Sequence, residues 1–249
     1  MSMEQLRIQI NEVPAIIWGT SSEKVYLYIH GQGGCKEEAE LFSAIVCQHG
    51  WPVLSIDLPE HGDRKSAAVS FEPWNVIPEL TAVMEYAKQQ WQEVSLFANS
   101  IGAWFSMLSF GNEHLRRCLF VSPVLDMKQL ILRMMKWADV SEERLKQELV
   151  IPTTFGQTLS WEYWQYVLAH PVTKWEFPTK ILYGEQDHLV ERSTVEEFCQ
   201  RFGCELTVME KGEHWFHTEQ QLDVLGKWIR NSLLSLKPME KTDIIGYME

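Results

Sequence analysis

Phe97-Ala98-Asn99-Ser100-Ile101-Gly102-Ala103 runs from an apolar strand pattern, through a serine, into a helical pattern. A serine at such a junction sits where the chain turns sharply, which strains its backbone and exposes its hydroxyl. Small residues two before and two after it, here Ala98 and Gly102, keep side chains out of that turn. Glycine is the commoner residue at the first of these positions, and alanine is small enough to take its place.

Outward from this turn, short β-branched apolar runs alternate with longer helical ones. The runs read as strands are Arg7–Ile10, Ala15–Trp18, Val25–His30, Val53–Asp57, Val94–Asn99, Cys118–Ser122, Lys180–Tyr183 and Glu205–Glu210. Helical patterns fall at Glu37–His49, Pro73–Gln92, Ile101–Phe110, Ser193–Phe202 and Thr218–Leu236. This order predicts an α/β fold: a mostly parallel eight-stranded sheet with helices on both faces, and an antiparallel hairpin of the first two strands at one edge. The stretch from Ser122 to Thr179 is too long for one crossover. It reads as two or three amphipathic helices broken at Pro152, near Gly156, at Pro171 and at Pro178, so that residues 123–178 form a cap on a single domain.

A serine of ordinary acidity needs a base to take its proton, and the base needs a carboxylate to orient it. Downstream, a strand pattern ends in Gly184-Glu185-Gln186-Asp187, and the next ends in Gly212-Glu213-His214. Ser100, Asp187 and His214 therefore follow in chain order, each just past the carboxyl end of a strand, where open α/β sheets place their sites. His217 competes with His214 for the base, which lies nearer the strand end. Asp126, in Ser122-Pro123-Val124-Leu125-Asp126, competes with Asp187; its plainer role is to cap a helix. The glycine-rich turn His30-Gly31-Gln32-Gly33-Gly34 is suited to aiming a backbone N–H at a developing oxyanion. The expected donors are the N–H of Gln32 and that of Ile101, at the start of the helix.

In order along the chain, the His30-Gly31 turn, Asp57-Leu58-Pro59-Glu60-His61-Gly62-Asp63-Arg64, the Ser100 elbow, the Gly184 to Asp187 turn and Gly212 to His214 resemble the α/β-hydrolase superfamily. Within it, the chain looks like the small cytoplasmic serine esterases with a helical cap. The likeness spans about Val25 to Leu236. It implies a carboxylesterase-like hydrolase that works through an acyl-enzyme and needs no cofactor. Thioesterase, peptidase and acyltransferase activities on the same residues, or a binding protein without catalysis, are its alternatives.

Composition is consistent with this. With 249 residues, 22 Lys+Arg and 34 Asp+Glu, the net charge is −12, which argues against a nucleic-acid partner and leaves a small-molecule ester as the expected one. Five cysteines lack a C-x-x-C pair, and eight histidines lack an i, i+4 pair, so neither a disulfide framework nor a metal site is indicated. Polar residues interrupt positions 1–20, so neither a signal core nor a membrane span is expected there, and the expected location is cytoplasmic. The chain has as many Trp as Phe, 11 of each. Trp137, Trp161, Trp164 and Trp175 lie between 123 and 178. Trp137, Trp161 and Trp164 are the candidate substrate-binding residues, as a roof over an apolar acyl or aromatic group; the alternative is that they pack the cap onto the body. The polar tail after Pro238 reads as poorly ordered or held by a partner.

Overall fold

The alternation of short and long patterns becomes a run of strands and helices. The computed structural model describes residues 3–66 and 68–234. β1 (Gln5–Ile10) and β2 (Val13–Trp18) form the antiparallel edge hairpin, turning at Asn11, which takes a φ of 53° that asparagine tolerates well. β3 (Lys24–Ile29), α1 (Glu40–Val46), β4 (Val53–Ile56), α2 (Pro73–Gln90), β5 (Glu93–Asn99), α3 (Ile101–Phe110) and β6 (Cys118–Val121) follow. Next come α4 (Met127–Trp137), α5 (Glu142–Glu148), β7 (Val150–Pro152), β8 (Thr158–Ser160) and α6 (Trp161–Ala169). The chain then returns to the sheet through β9 (Thr179–Gly184), α7 (Arg192–Phe202), β10 (Glu205–Met209) and α8 (Glu219–Leu234).

Eight strands form one sheet in the order β1-β2-β4-β3-β5-β6-β9-β10. From β4 to β10 all neighbours are parallel, and only the pairings made by β2 are antiparallel. The period-two pattern of each strand divides the core between the two faces. In β3, Tyr26 and Tyr28 pack with Phe42 and Ile45 of α1 and with Trp228 and Ile229 of α8. Val25, Leu27 and Ile29 pack on the other face with Leu80 of α2, Phe105 of α3 and Val195 of α7.

Two expectations need correction. Residues 150–160 are not helical: β7 and β8 pair as a small antiparallel hairpin in which Ile151 stands opposite Leu159, and both are buried. Pro152 lies on a strand of this hairpin, and Gly156, with a φ of 84°, lies in its turn. The helix expected from Glu37 is α-helical only from Glu40, with 3₁₀ turns on either side. The last two residues of the helix read to Leu236, and the tail after Pro238, lie outside the described residues.

Candidate active site

Ser100 occupies the turn between β5 and α3 with φ 50° and ψ −123°, a region that non-glycine residues seldom enter. Backbone bonds on both sides hold it there. The Ser100 N–H donates to the Val121 carbonyl at 3.0 Å, and the Ser100 carbonyl accepts from the Val124 N–H at 3.0 Å. The need for glycine two residues on is steric, since a Cβ at Gly102 would lie 2.5 Å from the His30 carbonyl oxygen. Ala98, two residues before, is fully buried.

β9 and β10 are adjacent in the sheet, so the loops that leave them meet. The Gln186 N–H donates to the Gly212 carbonyl at 2.7 Å, and the Lys211 N–H donates to the Glu185 carboxylate at 2.9 Å. This contact sets Asp187 beside His214. Asp187 Oδ2 is 2.7 Å from His214 Nδ1, and its Oδ1 accepts from the Leu189 and Val190 amides at 2.8 and 2.9 Å. A carboxylate only accepts, so Nδ1 carries the proton and Nε2 offers a lone pair. That lone pair faces the Ser100 hydroxyl at 2.8 Å. Such an arrangement can draw a proton from the serine as its oxygen attacks.

On the other side of Ser100, the loop after β3 is clasped to the loop after β4 by two histidines. His30 donates from Nδ1 to the Gly31 carbonyl at 2.7 Å and accepts the Leu58 N–H at Nε2 at 3.1 Å. His61 mirrors it, donating to the Pro59 carbonyl at 2.7 Å and accepting the Gly33 N–H at 2.8 Å. Burial holds the His30 imidazole at a pKa of about 4, well below its ordinary 6.5, despite the hydrogen bond to Gly31. Beneath the clasp, the buried Lys36 ammonium meets Asp57 at 2.6 Å and Asp63 at 2.7 Å. Burial opposes that charge, and the two carboxylates outweigh it and raise the lysine's pKa. Gln32 lies exposed at the tip of the clasped loop, and its side chain donates to Gln157 of the β7–β8 turn at 3.3 Å. Ile101 opens α3, where the first N–H groups of a helix have no partner within it.

The tryptophans between 123 and 178 divide. Trp137 is 47% exposed, packs edge-on against Phe155 of the β7–β8 turn, and lines a depression of about 400 Å³ beside His214. Trp164 is 2% exposed and part of the main core, and Trp161 is half-buried with the Lys146 ammonium 5.8 Å above its ring. Neither lines that depression. Asp126 caps α4, accepting the Gln129 N–H at 3.0 Å, and His217 lies at the rim of the depression. Trp215, which shares this surface, was not singled out in the sequence; its position directly after His214 was the available signal. Lys36 was also missed, because its partners lie 21 and 27 residues away.

Among the described residues, no group of three or more His, Cys, Asp or Glu could hold a metal ion, and no helix is long and apolar enough to cross a membrane.

No protein-family model and no curated relative matches the chain. Solved structures do. Est1E from Butyrivibrio proteoclasticus, bound to ferulic acid, has a TM-score of 0.73 at 18% identity, over 92% of this chain and 98% of its own. The Pyrococcus furiosus esterase Pf2001 scores 0.62 at 18% identity, over 92% of each chain. The thioesterase domain from the curacin biosynthetic pathway scores 0.59 at 16% identity, over 92% of this chain and 99% of its own. At such identity the likeness is one of fold: this chain has the α/β-hydrolase fold.

Proposed function

We propose that the protein is a serine hydrolase of carboxylic esters with small or medium acyl groups. The observation that carries this reading is the chain of two hydrogen bonds from Ser100 through His214 to the buried Asp187 carboxylate, at 2.8 and 2.7 Å. Ser100 Oγ attacks the ester carbonyl while its proton passes to His214 Nε2. Asp187 holds the imidazole in the accepting tautomer and stabilises the imidazolium that forms. The tetrahedral oxyanion is met by the N–H groups of Gln32 and Ile101. Gly33 and Gly34 have their N–H groups committed to His61 and to the Gly31 carbonyl, which leaves the Gln32 N–H for this work. As the C–O bond breaks, the imidazolium proton goes to the departing alcohol. Water then attacks the acyl-serine by the reverse path and releases the acid.

Residues 123–178 act as a cap on the single domain. Its helix α6 lies on the body through Tyr163, stacked on Trp104 at 5.9 Å, and through contacts of Tyr163 and Tyr166 with Trp74. Its β7–β8 turn reaches both Gln32 and Trp137. Trp137 forms part of the substrate wall, whereas the burial of Trp164 favours the packing role for that residue.

The test uses a fluorophosphonate probe and p-nitrophenyl acetate. The native protein is expected to take one label, on Ser100, and to hydrolyse the ester. Ser100→Ala should lose the label and on the order of 10⁴-fold in kcat. A folded native protein that neither labels nor hydrolyses would leave a binding protein with a hydrolase fold, and wild-type turnover by Ser100→Ala would overturn the assignment of the nucleophile.

A further inference from the structure

We infer that the depression beside His214 is a subsite for the leaving alcohol, and that it selects alcohols carrying an aromatic ring. The inference rests on the ester-hydrolase reading and deepens it. In acylation, the bond from the carbonyl carbon to the alcohol oxygen breaks, and that oxygen takes the proton held at His214 Nε2. The oxygen must therefore come within hydrogen-bond reach of the imidazole, about 3 Å. Whatever it carries lies against the surface adjoining His214, and the acyl group, on the other side of the carbonyl, does not.

Adjoining His214 is a depression of about 400 Å³, within the range of small-molecule sites, whose walls include Trp137, Leu189, His214 and Trp215, though not Ser100. Gln186, His188, Glu213 and His217 complete its lining. Trp215 is 68% exposed although it directly follows a residue of the site. One face of its ring is stacked on His217, with centroids 4.7 Å apart and planes at 22°. The opposite face is thereby left to pack on something else. Trp137 also lines the depression, packed on Phe155 at 87° and under the Arg133 guanidinium at 5.2 Å. Both rings are thus braced before a ligand arrives, which reduces the ordering cost of stacking on them.

Two of the polar side chains nearby have partners in the protein. Glu213 lies 3.3 Å from the His217 ring, and Arg133 pairs with Glu191. The two indole rings that border the depression suit a flat aromatic group. Aromatic pairs contribute about 0.5–1.5 kcal/mol beyond the area they bury, a preference of about two- to tenfold over an aliphatic ring of the same size.

The experiment compares two acetates, 2-phenylethyl and 2-cyclohexylethyl, which form the same acetyl-enzyme and differ only in the leaving alcohol. In the native enzyme, kcat/KM should favour the phenyl ester by about two- to tenfold. Trp215→Ala and Trp137→Ala should each bring the ratio toward one, and Trp215→Phe should keep part of it. A second pair carries the ring on the acyl side, ethyl 3-phenylpropanoate and ethyl 3-cyclohexylpropanoate; its ratio should not follow Trp215→Ala. The inference is overturned by a native alcohol-side ratio of one, by a ratio that both alanine variants leave unchanged, or by an acyl-side ratio that follows Trp215 instead. If no ester is turned over and Ser100 takes no fluorophosphonate, the hydrolase reading fails and the subsite falls with it. Those results are different from a failure of selectivity in a working esterase.

Discussion

Acid should weaken this protein through one buried histidine. His30 is fully buried, donates from Nδ1 to Gly31 and accepts the Leu58 N–H at Nε2, so a second ring proton would set one donor against another. Burial is the main reason its pKa falls from 6.5 to about 4; the nearby His61 and Lys36 push the same way, and Asp57 and the Gly31 carbonyl oppose them. The unfolded chain therefore takes up a proton below pH 6.5 that the folded chain refuses until about pH 4. Stability from this group is fully present above the first value and is lost as the pH falls toward the second. At about 1.4 kcal/mol per pH unit, a gap of this size amounts to about 3–4 kcal/mol. The comparison is His30→Asn, whose amide offers a donor and an acceptor and does not titrate. Urea unfolding of both proteins at pH 7.5, 6, 5 and 4.5 gives the difference in stability at each pH. The native protein should lose about 2–3 kcal/mol more than the variant over that range. Parallel losses would show that His30 is not kept neutral by its surroundings, and would refute the reasoning.

Asp187→Asn should fold, because an amide oxygen can still accept the Leu189 and Val190 N–H groups. Its NH₂ would then face His214 Nδ1 and force the proton to Nε2, where it blocks acceptance from Ser100; the expected loss is on the order of 10³–10⁴ in kcat, with thermal unfolding near that of the native protein. Trp164→Ala should cost about 3–5 kcal/mol in urea unfolding, the range for truncating a buried large aromatic, whereas Trp137→Ala, at a half-exposed site, should cost less than about 1 kcal/mol.

The elbow was legible because its requirements are local. One strand, one serine and small residues at two fixed offsets are enough to require the turn, and Gly102 beside the His30 carbonyl is the steric reason. The order Ser100, Asp187, His214 could be read for a similar reason, since each follows an apolar run that ends in a short turn. The β7–β8 hairpin was not legible: its strands are three residues each, too short for alternation to show, and Pro152 reads as a breaker. Lys36 was hidden for a different reason. A lysine after a glycine-rich turn looks like a surface residue, and only the folded chain brings it to Asp57 and Asp63. Trp161 and Trp164 share a helical face in sequence, yet the core takes up Trp164 and leaves Trp161 half-buried. Periodicity gives a face and does not say what covers it.

The alignment of the site depends on how closely the loops after β9 and β10 approach. At Gly184 an added Cβ would lie 2.3 Å from the Glu213 carbonyl oxygen and 2.6 Å from that of Gly212, both backbone atoms that cannot rotate aside. Gly184→Ala must therefore push the two loops apart. The movement falls on the residues that carry Asp187 and His214, while Ser100, fixed by β5, β6 and α3, stays in place. Each hydrogen bond of the relay is already at normal contact distance, 2.8 and 2.7 Å, so a separation approaching 1 Å breaks at least one of them. A displacement of that size in a reacting group can cost about 10²-fold in rate. The rate of fluorophosphonate labelling at Ser100 reads this loss directly, because labelling needs the base and no natural substrate. Labelling of a folded Gly184→Ala protein at the native rate would mean that the two loops do not set the alignment of His214 on Ser100.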